Sequence, residues 1–346
     1  MLGGHVVQFE KTASALAEAG LDVVTDFTET PPPVEVDLVH GFGLSTDQIR
    51  HWHRRGVPVA LSTIYWNRSY RQDGGPGRRP SARALAGRAL RSAQFARSSW
   101  RGRAALTEAC LHWIADDARD LALFESADLL LPNAVGEGDS IRDDFGVSTP
   151  IVPIPNGVDP DRFAGPAEPF PQRSYVLYVG RIEPHKNQLG LIEALRGSGL
   201  PLVIAGHEHP DHPRYVRQCR AAGSGWVTFH VSLDESELAD LYRLARVHVL
   251  PSWFETTGLV SLEAALSGCS VVSTSRGYAR EYFGDLAWYC DPAVTDSILS
   301  AVRSAWAAPP NPALRDRVLE HFTWKHVAEA TIAAYDSLPP RASPER

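Results

Sequence analysis

Cysteine is scarce in this sequence, and long apolar runs are lacking. The four cysteines among 346 residues are widely spaced and form no Cys-x-x-Cys pair, which argues against a disulfide scaffold or a cysteine metal site. No apolar run approaches the roughly 18 residues of a membrane span, and Met1–His5 lacks the basic and apolar regions of a secretory signal. We therefore expect a soluble, cytoplasmic protein with free thiols.

An excess of basic residues is also lacking, since the formal net charge is −7. Nucleic acid is therefore not an expected partner. Residues 68–103 are the exception, because they hold ten arginines and a single acid, Asp73. Two interpretations of this segment stay open. It makes peripheral contact with anionic lipid or a phosphorylated acceptor at the inner face of the membrane, or it is a solvated surface helix.

The length and the hydrophobic pattern predict two domains. A chain of 346 residues with 44% hydrophobic content can form two cores. Short apolar runs alternate with helical patterns in both halves, which is typical of doubly wound parallel sheets in the α/β class. The predicted organisation comprises a first domain at 1–153, a proline-rich linker at 154–172, a second domain at 173–322, a helix at about 323–338 that packs back onto the first domain, and a disordered tail at 339–346.

Strands are predicted where a short apolar run is bounded by turn residues. In the first half these runs are Leu21–Thr25, Asp37–Phe42, Pro58–Ser62, Ala127–Leu131 and Pro150–Ile154. In the second half they are Tyr175–Val179, Leu202–Ala205, Val227–Phe229, Val247–Leu250, Ser270–Ser273 and Ala287–Tyr289. Two such domains leave a cleft at the carboxyl ends of their strands, where folds of this kind bind ligands.

The stretch 250–267 carries the clearest site chemistry. Gly258 follows a predicted strand and opens a predicted helix, whose free N–H groups can bind an anion. Glu255 precedes this helix, and Glu263 lies on its apolar stripe, where a carboxylate must be neutralised, hydrogen-bonded or turned toward a cleft. A structural interpretation stays open for each: Glu255 favours the helix dipole, and Glu263 pairs with a distant arginine.

Two cations follow the first predicted strand of the second half. Arg181 and Lys186 lie at the end of that strand that faces the expected cleft. Together they can neutralise a diphosphate leaving group without a metal ion. The alternative is that each forms an ordinary surface salt bridge.

Residues Glu255-Thr-Thr-Gly-Leu-Val-Ser-Leu-Glu263 form a Glu-x7-Glu motif, and with it the chain resembles the family-four retaining glycosyltransferases of GT-B fold. Further stretches in the same order along the chain fit this resemblance. They are Gly3-Gly4 with Glu10-Lys11-Thr12, Ile154–Asp159, Val179–Asn187, Val203–Gly206 and Phe322-Thr323-Trp324.

The resemblance implies a metal-independent transferase with no cofactor, a nucleotide-diphosphate sugar as donor, and a sugar or lipid-linked acceptor in glycoconjugate synthesis. Arg181 and Lys186 would stabilise the departing diphosphate, and the acceptor would attack on the face from which it departs. The implied donor contacts are Glu255 beside the sugar, Glu263 on the ribose hydroxyls, the N–H groups of Gly258, Leu259 and Val260 on phosphate or sugar oxygens, and Gly4 and Gly180 in the glycine loops. Two alternatives stay open: a nucleotide-sugar epimerase of the same fold, and a non-catalytic binding protein.

The chain departs from the family pattern at two places in its first half. Many members carry a histidine after the strand that corresponds to Pro58–Ser62, where this chain has Thr63-Ile64-Tyr65-Trp66. Tyr65 or Ser62 is a candidate substitute, and His40 is a second acceptor-side candidate, unless it is a strand-end histidine bonded to backbone. The family's first central strand is also missing, so we expect either a start upstream of Met1 or another segment in its place.

Two metal-like patterns are not expected to bind metal. Asp159-Pro160-Asp161 is an Asp-x-Asp string, but it lies in the predicted linker rather than at a strand end. His207, Glu208, His209 and His212 come close to His-Glu-x-x-His, but the spacing is off by one residue. Pro210 also opposes the helix that would align the ligands.

Overall fold

The computed structural model describes residues 4–28, 34–67, 118–164 and 172–338, which form two parallel sheets. The first sheet has three strands in the order β1-β2-β3. The second has six strands in the order β6-β5-β4-β7-β8-β9. The strands are β1 Val39–Phe42, β2 Val59–Ser62, β3 Leu129–Leu131, β4 Tyr175–Val179, β5 Leu202–Ala205, β6 Val227–His230, β7 Ala245–Leu250, β8 Ser270–Thr274 and β9 Trp288–Cys290.

Helices connect the strands in both domains, as parallel pairing requires. In the first half they are Gly4–Glu18, Thr46–Arg54, a helical stretch over 118–126, and Val135–Phe145. From the linker onward they are Pro160–Phe163, Gln188–Leu195, Pro213–Ala222, Glu235–Leu244, Leu259–Leu266, Ala279–Phe283, Thr295–Ala307, Pro312–His321 and Trp324–Tyr335, with 3₁₀ turns at Pro184–Lys186 and Gly284–Leu286.

The second sheet positions the candidate site. Its central strands β4, β7 and β8 are almost wholly buried, because helices cover both faces of a parallel sheet. The loops after β4 and β7 leave the sheet at the same edge, since neighbouring parallel strands end on the same side. This brings residues 180–187 and 251–258 together.

The C-terminal helix Trp324–Tyr335 crosses back to the first domain. Thr323 forms a parallel bridge with Val158, and the helix then packs along Gly4–Glu18. Ala15, Leu16 and Ala328 form a small buried core between the two helices.

Two strands predicted from the sequence are not formed. Leu21–Thr25 has no partner strand within the described residues; Leu21 and Val23 pack against the C-terminal helix, whereas Val24 is 59% exposed. Residues 150–154 run beside β3 but form only one bridge, between Ile151 and Leu130. The prolines of this stretch have no N–H to donate, so the ladder stays short.

Part of the expected linker is packed into the second domain. Helix Pro160–Phe163 buries Phe163 against Tyr242, with ring centroids 5.8 Å apart. The arginine-rich segment 68–103 and the tail 339–346 lie outside the described residues. Among the residues that are described, no helix is both long and apolar enough to cross a membrane.

Candidate active site

The loop after β4 is held in place by its own side chains. Gly180 has φ +148° and its N–H donates to the carbonyl of Ala205. Gln188 Nε2 donates to the carbonyl of Arg181 at 2.6 Å, and Asn187 Nδ2 donates to the carbonyl of Pro251 at 3.2 Å. The loop is therefore tied to the strand beside it and to the end of β7.

Lys186 and Glu255 form an ion pair where the two loops meet. Lys186 Nζ donates to Glu255 Oε2 at 2.9 Å, and the two side chains are only 20% and 10% exposed. The interpretation of Lys186 as an ordinary surface salt bridge does not fit this burial. The pair joins residues 69 positions apart, which only the fold brings together.

Glu255 is ionised in this setting. Burial acts to raise its pKa, but the nearby charges of Lys186 and His185 and the hydrogen bond from Lys186 outweigh burial and lower it. A buried carboxylate and a largely buried ammonium that neutralise one another form a polar floor on which a ligand hydroxyl can bind.

Arg181 lies on the same loop as Lys186 and is the more exposed of the two. Its guanidinium contacts Glu183 Oε1 at 3.2 Å, and the side chain is 47% exposed, whereas that of Glu183 is 10% exposed. Arg181 can therefore move toward an anionic ligand at small cost, since half-exposed ion pairs contribute little.

Gly277 fixes the position of Glu255, and sequence reasoning missed it. The backbone at 277 has φ +96°, and a Cβ there would lie 2.2 Å from the Glu255 carbonyl oxygen. Glu255 and Gly277 form a parallel bridge, and Tyr278 N–H donates to the Glu255 carbonyl at 2.8 Å. The signal in the sequence is a glycine four residues after the predicted strand Ser270–Ser273, since a glycine in a loop often allows a close backbone approach.

Gly258 opens the helix Leu259–Leu266 in the left-handed conformation, with φ +76°. Its carbonyl accepts the N–H of Ser261 at 2.8 Å. The N–H groups of Leu259 and Val260 belong to the first turn, where a helix offers no internal acceptor. They are thus available to an anion in the way the sequence predicts.

Glu263 lies on the same helix and is partly exposed. It accepts a hydrogen bond from the hydroxyl of Tyr242 at 2.8 Å. Burial raises the pKa of Glu263 to about 7, although Tyr242, Arg162 and Lys11 act against this shift. A carboxyl group with a pKa of about 7 is suited to accept hydrogen bonds from ligand hydroxyls.

A hydroxyl at the domain junction was also missed by sequence reasoning. Tyr282 donates to the carbonyl of Asn133 in the first domain and accepts from the N–H of Asn156 at 2.9 Å and from Thr257 Oγ1 at 3.1 Å. Thr257 in turn accepts from Asn156 Nδ2 at 3.0 Å. The linker, the glutamate loop and the first domain therefore meet on one buried tyrosine.

Two further contacts join the domains across the cleft. Glu281 accepts the N–H groups of Val135 and Gly136 at 2.8 Å each, and thereby caps a first-domain helix. Trp66 stacks on His185, with ring centroids 4.5 Å apart and an interplanar angle of 6°. The loop after β2 thus reaches the residue next to Lys186.

Tyr65 does not take the acceptor-side position considered for it. Its side chain is 4% exposed, and its hydroxyl donates to Asp144 Oδ2 at 2.8 Å. The ring packs edge-on against Phe124 and Phe145 in the first-domain core. Adjacent side chains in an extended segment point in opposite directions, so Trp66 faces the cleft and Tyr65 does not.

His40 is the second residue of β1, and both of its ring nitrogens are hydrogen-bonded. Nδ1 lies 2.6 Å from the hydroxyl of Tyr335, and Nε2 lies 2.8 Å from Ser62 Oγ. Burial lowers the pKa of His40 to about 3, so the ring is neutral. It lines an open groove of about 870 Å³ within the first domain, beside Phe9, Phe42 and Trp52. The partners are hydroxyl side chains rather than the backbone groups considered from the sequence.

Glu137 organises the first-domain side of the junction and was not anticipated. It is fully buried and accepts from Thr63 Oγ1 at 2.7 Å, from Tyr65 N–H at 2.8 Å and from Asn133 N–H at 3.0 Å. Burial raises its pKa to about 7, against the effect of these hydrogen bonds. An acid in the first turn of a helix next to a polar strand end was the only sequence signal.

The acids Asp159 and Glu208 of the two metal-like patterns have other partners in the structure. Asp159 caps the helix Pro160–Phe163, accepting the N–H of Asp161 at 3.1 Å, and pairs with Lys11 at 3.4 Å. Glu208 is paired with Arg220. Gly4 begins the first helix, and Gly3 lies outside the described residues.

Residues 163–317, which contain this site, match the family described as glycosyl transferases group 1. The second domain belongs to that family. Sucrose-phosphate synthase from Thermosynechococcus elongatus is similar in structure, with a TM-score of 0.69 at 18% identity over 96% of this chain and 93% of that one. The two parallel sheets are those of the GT-B fold.

Curated relatives also align with this chain. Glycogen synthase from Mycobacterium tuberculosis is 33% identical over 239 residues, which cover 62% of this chain and 55% of that protein. D-inositol 3-phosphate glycosyltransferase from Stackebrandtia nassauensis is 30% identical over 254 residues, which cover 64% and 57%. The aligned part of this chain thus spans little more than half the length of these relatives.

Proposed function

We propose that this protein transfers a glycosyl group from a nucleotide-diphosphate sugar to an acceptor hydroxyl, with retention of the anomeric configuration and without a metal ion in the transfer step. The observation that carries the proposal is the buried Lys186–Glu255 pair beside the left-handed Gly258 helix start. It combines a cation, a carboxylate and free N–H groups at the end of a parallel sheet, inside a group 1 glycosyltransferase domain.

The charges of the site match such a donor. A diphosphate placed against the Gly258 helix start receives the N–H groups of Leu259 and Val260. Lys186 and Arg181 supply positive charge where the diphosphate departs, which stabilises the transition state more than the bound substrate. Each cation has a carboxylate partner in the free protein, so both are held close to the site before the donor arrives.

The transfer step needs only the reacting groups of the two substrates and these cations. The bond between C1 of the sugar and the diphosphate oxygen breaks, and a bond between C1 and the acceptor oxygen forms on the same face. The acceptor proton passes to the departing phosphate. Glu255, ionised by its pairing with Lys186, accepts sugar hydroxyls, and Glu263 accepts those of the ribose.

The acceptor is proposed to be a sugar or a lipid-linked glycan, with a phosphate or another anionic group. Two observations support this choice. The names of relatives include a D-inositol 3-phosphate glycosyltransferase, whose name states a phosphorylated substrate, and residues 68–103 are rich in arginine. The same segment would bring this cytoplasmic protein to the inner face of a membrane.

A single assay tests the reaction and separates it from epimerisation and from simple binding. The protein is incubated with nucleotide sugars of several bases, with and without sugar phosphates or polyprenyl-linked acceptors, and the nucleotide and sugar products are measured. Transfer releases nucleotide diphosphate only when donor and acceptor are both present. Epimerisation of the donor sugar in the absence of acceptor would reject the proposal, as would a donor that stays intact with every acceptor tested. The anomeric coupling constant of the product tests retention.

A further inference from the structure

We infer that Glu183, His209 and His212 form a binding site for one divalent transition-metal ion, with Zn²⁺ as the best match. One potential ligand atom from each side chain lies within 4.8 Å of the other two. Glu183 Oε2 lies 3.7 Å from His209 Nε2, and the two imidazole centroids are 4.9 Å apart. Glu183 follows β4 and the histidines follow β5, so the fold assembles this group from two loops.

The two loops are joined by backbone hydrogen bonds. Ile182 and Glu208 form a parallel bridge, and the N–H of Ile182 donates to the carbonyl of His207 at 2.8 Å. His212 N–H donates to the carbonyl of His209 at 3.0 Å, which turns the two rings to the same side. The backbone is therefore fixed before any ion binds, which lowers the cost of forming the site.

The donor set is one that Zn²⁺ accepts. Two imidazoles and one carboxylate leave a fourth position for water, and Zn–N and Zn–O bonds are about 2.0–2.2 Å long. Ligand atoms around a tetrahedral ion then lie about 3.3 Å apart. The separation of 3.7 Å between Glu183 and His209 needs a movement of only a few tenths of an ångström, and His212 reaches the same point by rotation of a partly exposed side chain.

The surroundings supply partners for the ligands. Nδ1 of His209 accepts the N–H of Asp211 at 3.2 Å and lies 3.9 Å from the Asp211 carboxylate. When Nε2 binds a metal ion the ring proton moves to Nδ1, which gives up the hydrogen bond from the Asp211 N–H and can donate to the exposed Asp211 carboxylate instead, the usual arrangement of metal-bound histidines. The other oxygen of Glu183 stays with Arg181.

The site differs from the histidine pattern in the sequence. Glu208 is the acid that the pattern offers, but it pairs with Arg220. Glu183, 26 residues before His209, takes its place. A bound ion would hold the carboxylate that positions Arg181, so we expect it to tighten donor binding. This consequence rests on the proposed function, whereas metal binding itself does not.

The test uses the full chain, freed of metal by chelation, and its His209→Ala and His212→Ala variants. Titration with Zn²⁺ is followed by calorimetry, and titration with Co²⁺ by visible absorption, so that neither readout depends on activity. We expect one ion per chain and a visible Co²⁺ absorption typical of a low coordination number. The affinity for the ion should be at least about tenfold weaker in each variant than in the unmodified protein. Melting curves confirm that the variants are folded.

His321→Ala is the matched control, because His321 is 55% exposed and its contacts with Glu320 and Phe322 involve none of the three proposed ligands. Its affinity should equal that of the unmodified protein. The inference is overturned if no single saturable site is found, or if His209→Ala and His212→Ala bind Zn²⁺ as tightly as the control. Failure of the transferase assay with intact metal binding would reject the proposed function alone.

Discussion

Each domain buries a glutamate beside the junction, and the two have opposite electrostatic settings. Glu255 in the second domain faces Lys186 at 2.9 Å, and its pKa is lowered. Glu137 in the first domain is equally buried, but its hydrogen bonds come from a hydroxyl and two backbone N–H groups, and its pKa is raised to about 7. A nearby cation thus decides whether burial leaves a carboxyl ionised.

The difference separates two uses of one side chain. Glu255 keeps a charge and can act on a polar ligand, whereas Glu137 serves as an acceptor that fixes the loop from Thr63 to Trp66. The second-domain side of the junction is therefore organised by ion pairing, and the first-domain side by hydrogen bonds from uncharged donors.

Removing the cation is expected to have the largest effect. Lys186→Met should lower transfer by about 10²–10³-fold, because it removes charge from the departing diphosphate. It should also destabilise the fold by about 3–5 kcal/mol, since Glu255 is left buried and unpaired. Nucleotide release and urea unfolding measure the two effects.

The double variant Lys186→Met with Glu255→Gln provides the control. It should regain most of the lost stability but not the activity. The pH dependence gives a second check. The contribution of Glu255 in the unmodified protein is present above its unfolded pKa and is lost as the pH falls. In Lys186→Met the pKa should be raised instead, so stability should fall as the pH rises. If stability depends on pH in the same way in Lys186→Met and in the unmodified protein, Lys186 does not set the charge of Glu255.

Gly277→Ala should move Glu255 without changing any charge. The new Cβ would meet the Glu255 carbonyl at 2.2 Å, at φ +96°, so we expect a loss of about 2–4 kcal/mol and weaker donor binding. Gly197→Ala is the matched control, because its φ is +71° with no atom within 4 Å of the added Cβ. It should cost only about 1 kcal/mol. Thermal unfolding that shows equal losses would mean that the close approach has no effect.

Glu137→Gln should have the smallest effect, and one that depends on pH. The folded protein holds its proton to about pH 7, whereas the unfolded chain releases it near 4.5. The stability of the unmodified protein should therefore fall relative to Glu137→Gln as the pH rises from 4.5 to 7, by up to about 3 kcal/mol, and stay level above that. Urea unfolding at pH 5 and pH 8 tests this. If the two proteins differ in stability by the same amount at pH 5 and pH 8, Glu137 is ionised over this whole range.

The second domain was largely predictable from the sequence. Its strands are buried on both faces, so they read as short apolar runs, and β4 and β5 begin and end where the pattern predicts. The first domain was less predictable. Leu21–Thr25 has a strand-like pattern, but a strand also needs a partner, and none of the described residues provides one.

The site was predictable in its residue types but not in its pairings. Glu255, Gly258 and Lys186 stand next to strand ends, which the sequence shows. The hydrogen bonds of Tyr282 across the junction and the burial of Tyr65 depend on which side chain faces which domain, and no local sequence pattern predicts this.

By itself the sequence determined the α/β class, the parallel strands of the second domain and the place of the helix start at Gly258, because each depends on local periodicity and on glycine. Only the tertiary structure decided that Lys186 neutralises Glu255, that Gly277 holds it in place and that Glu137 stays protonated to about pH 7. These properties depend on burial and on contacts between residues far apart in the chain, which determine the electrostatic free energy of each charge.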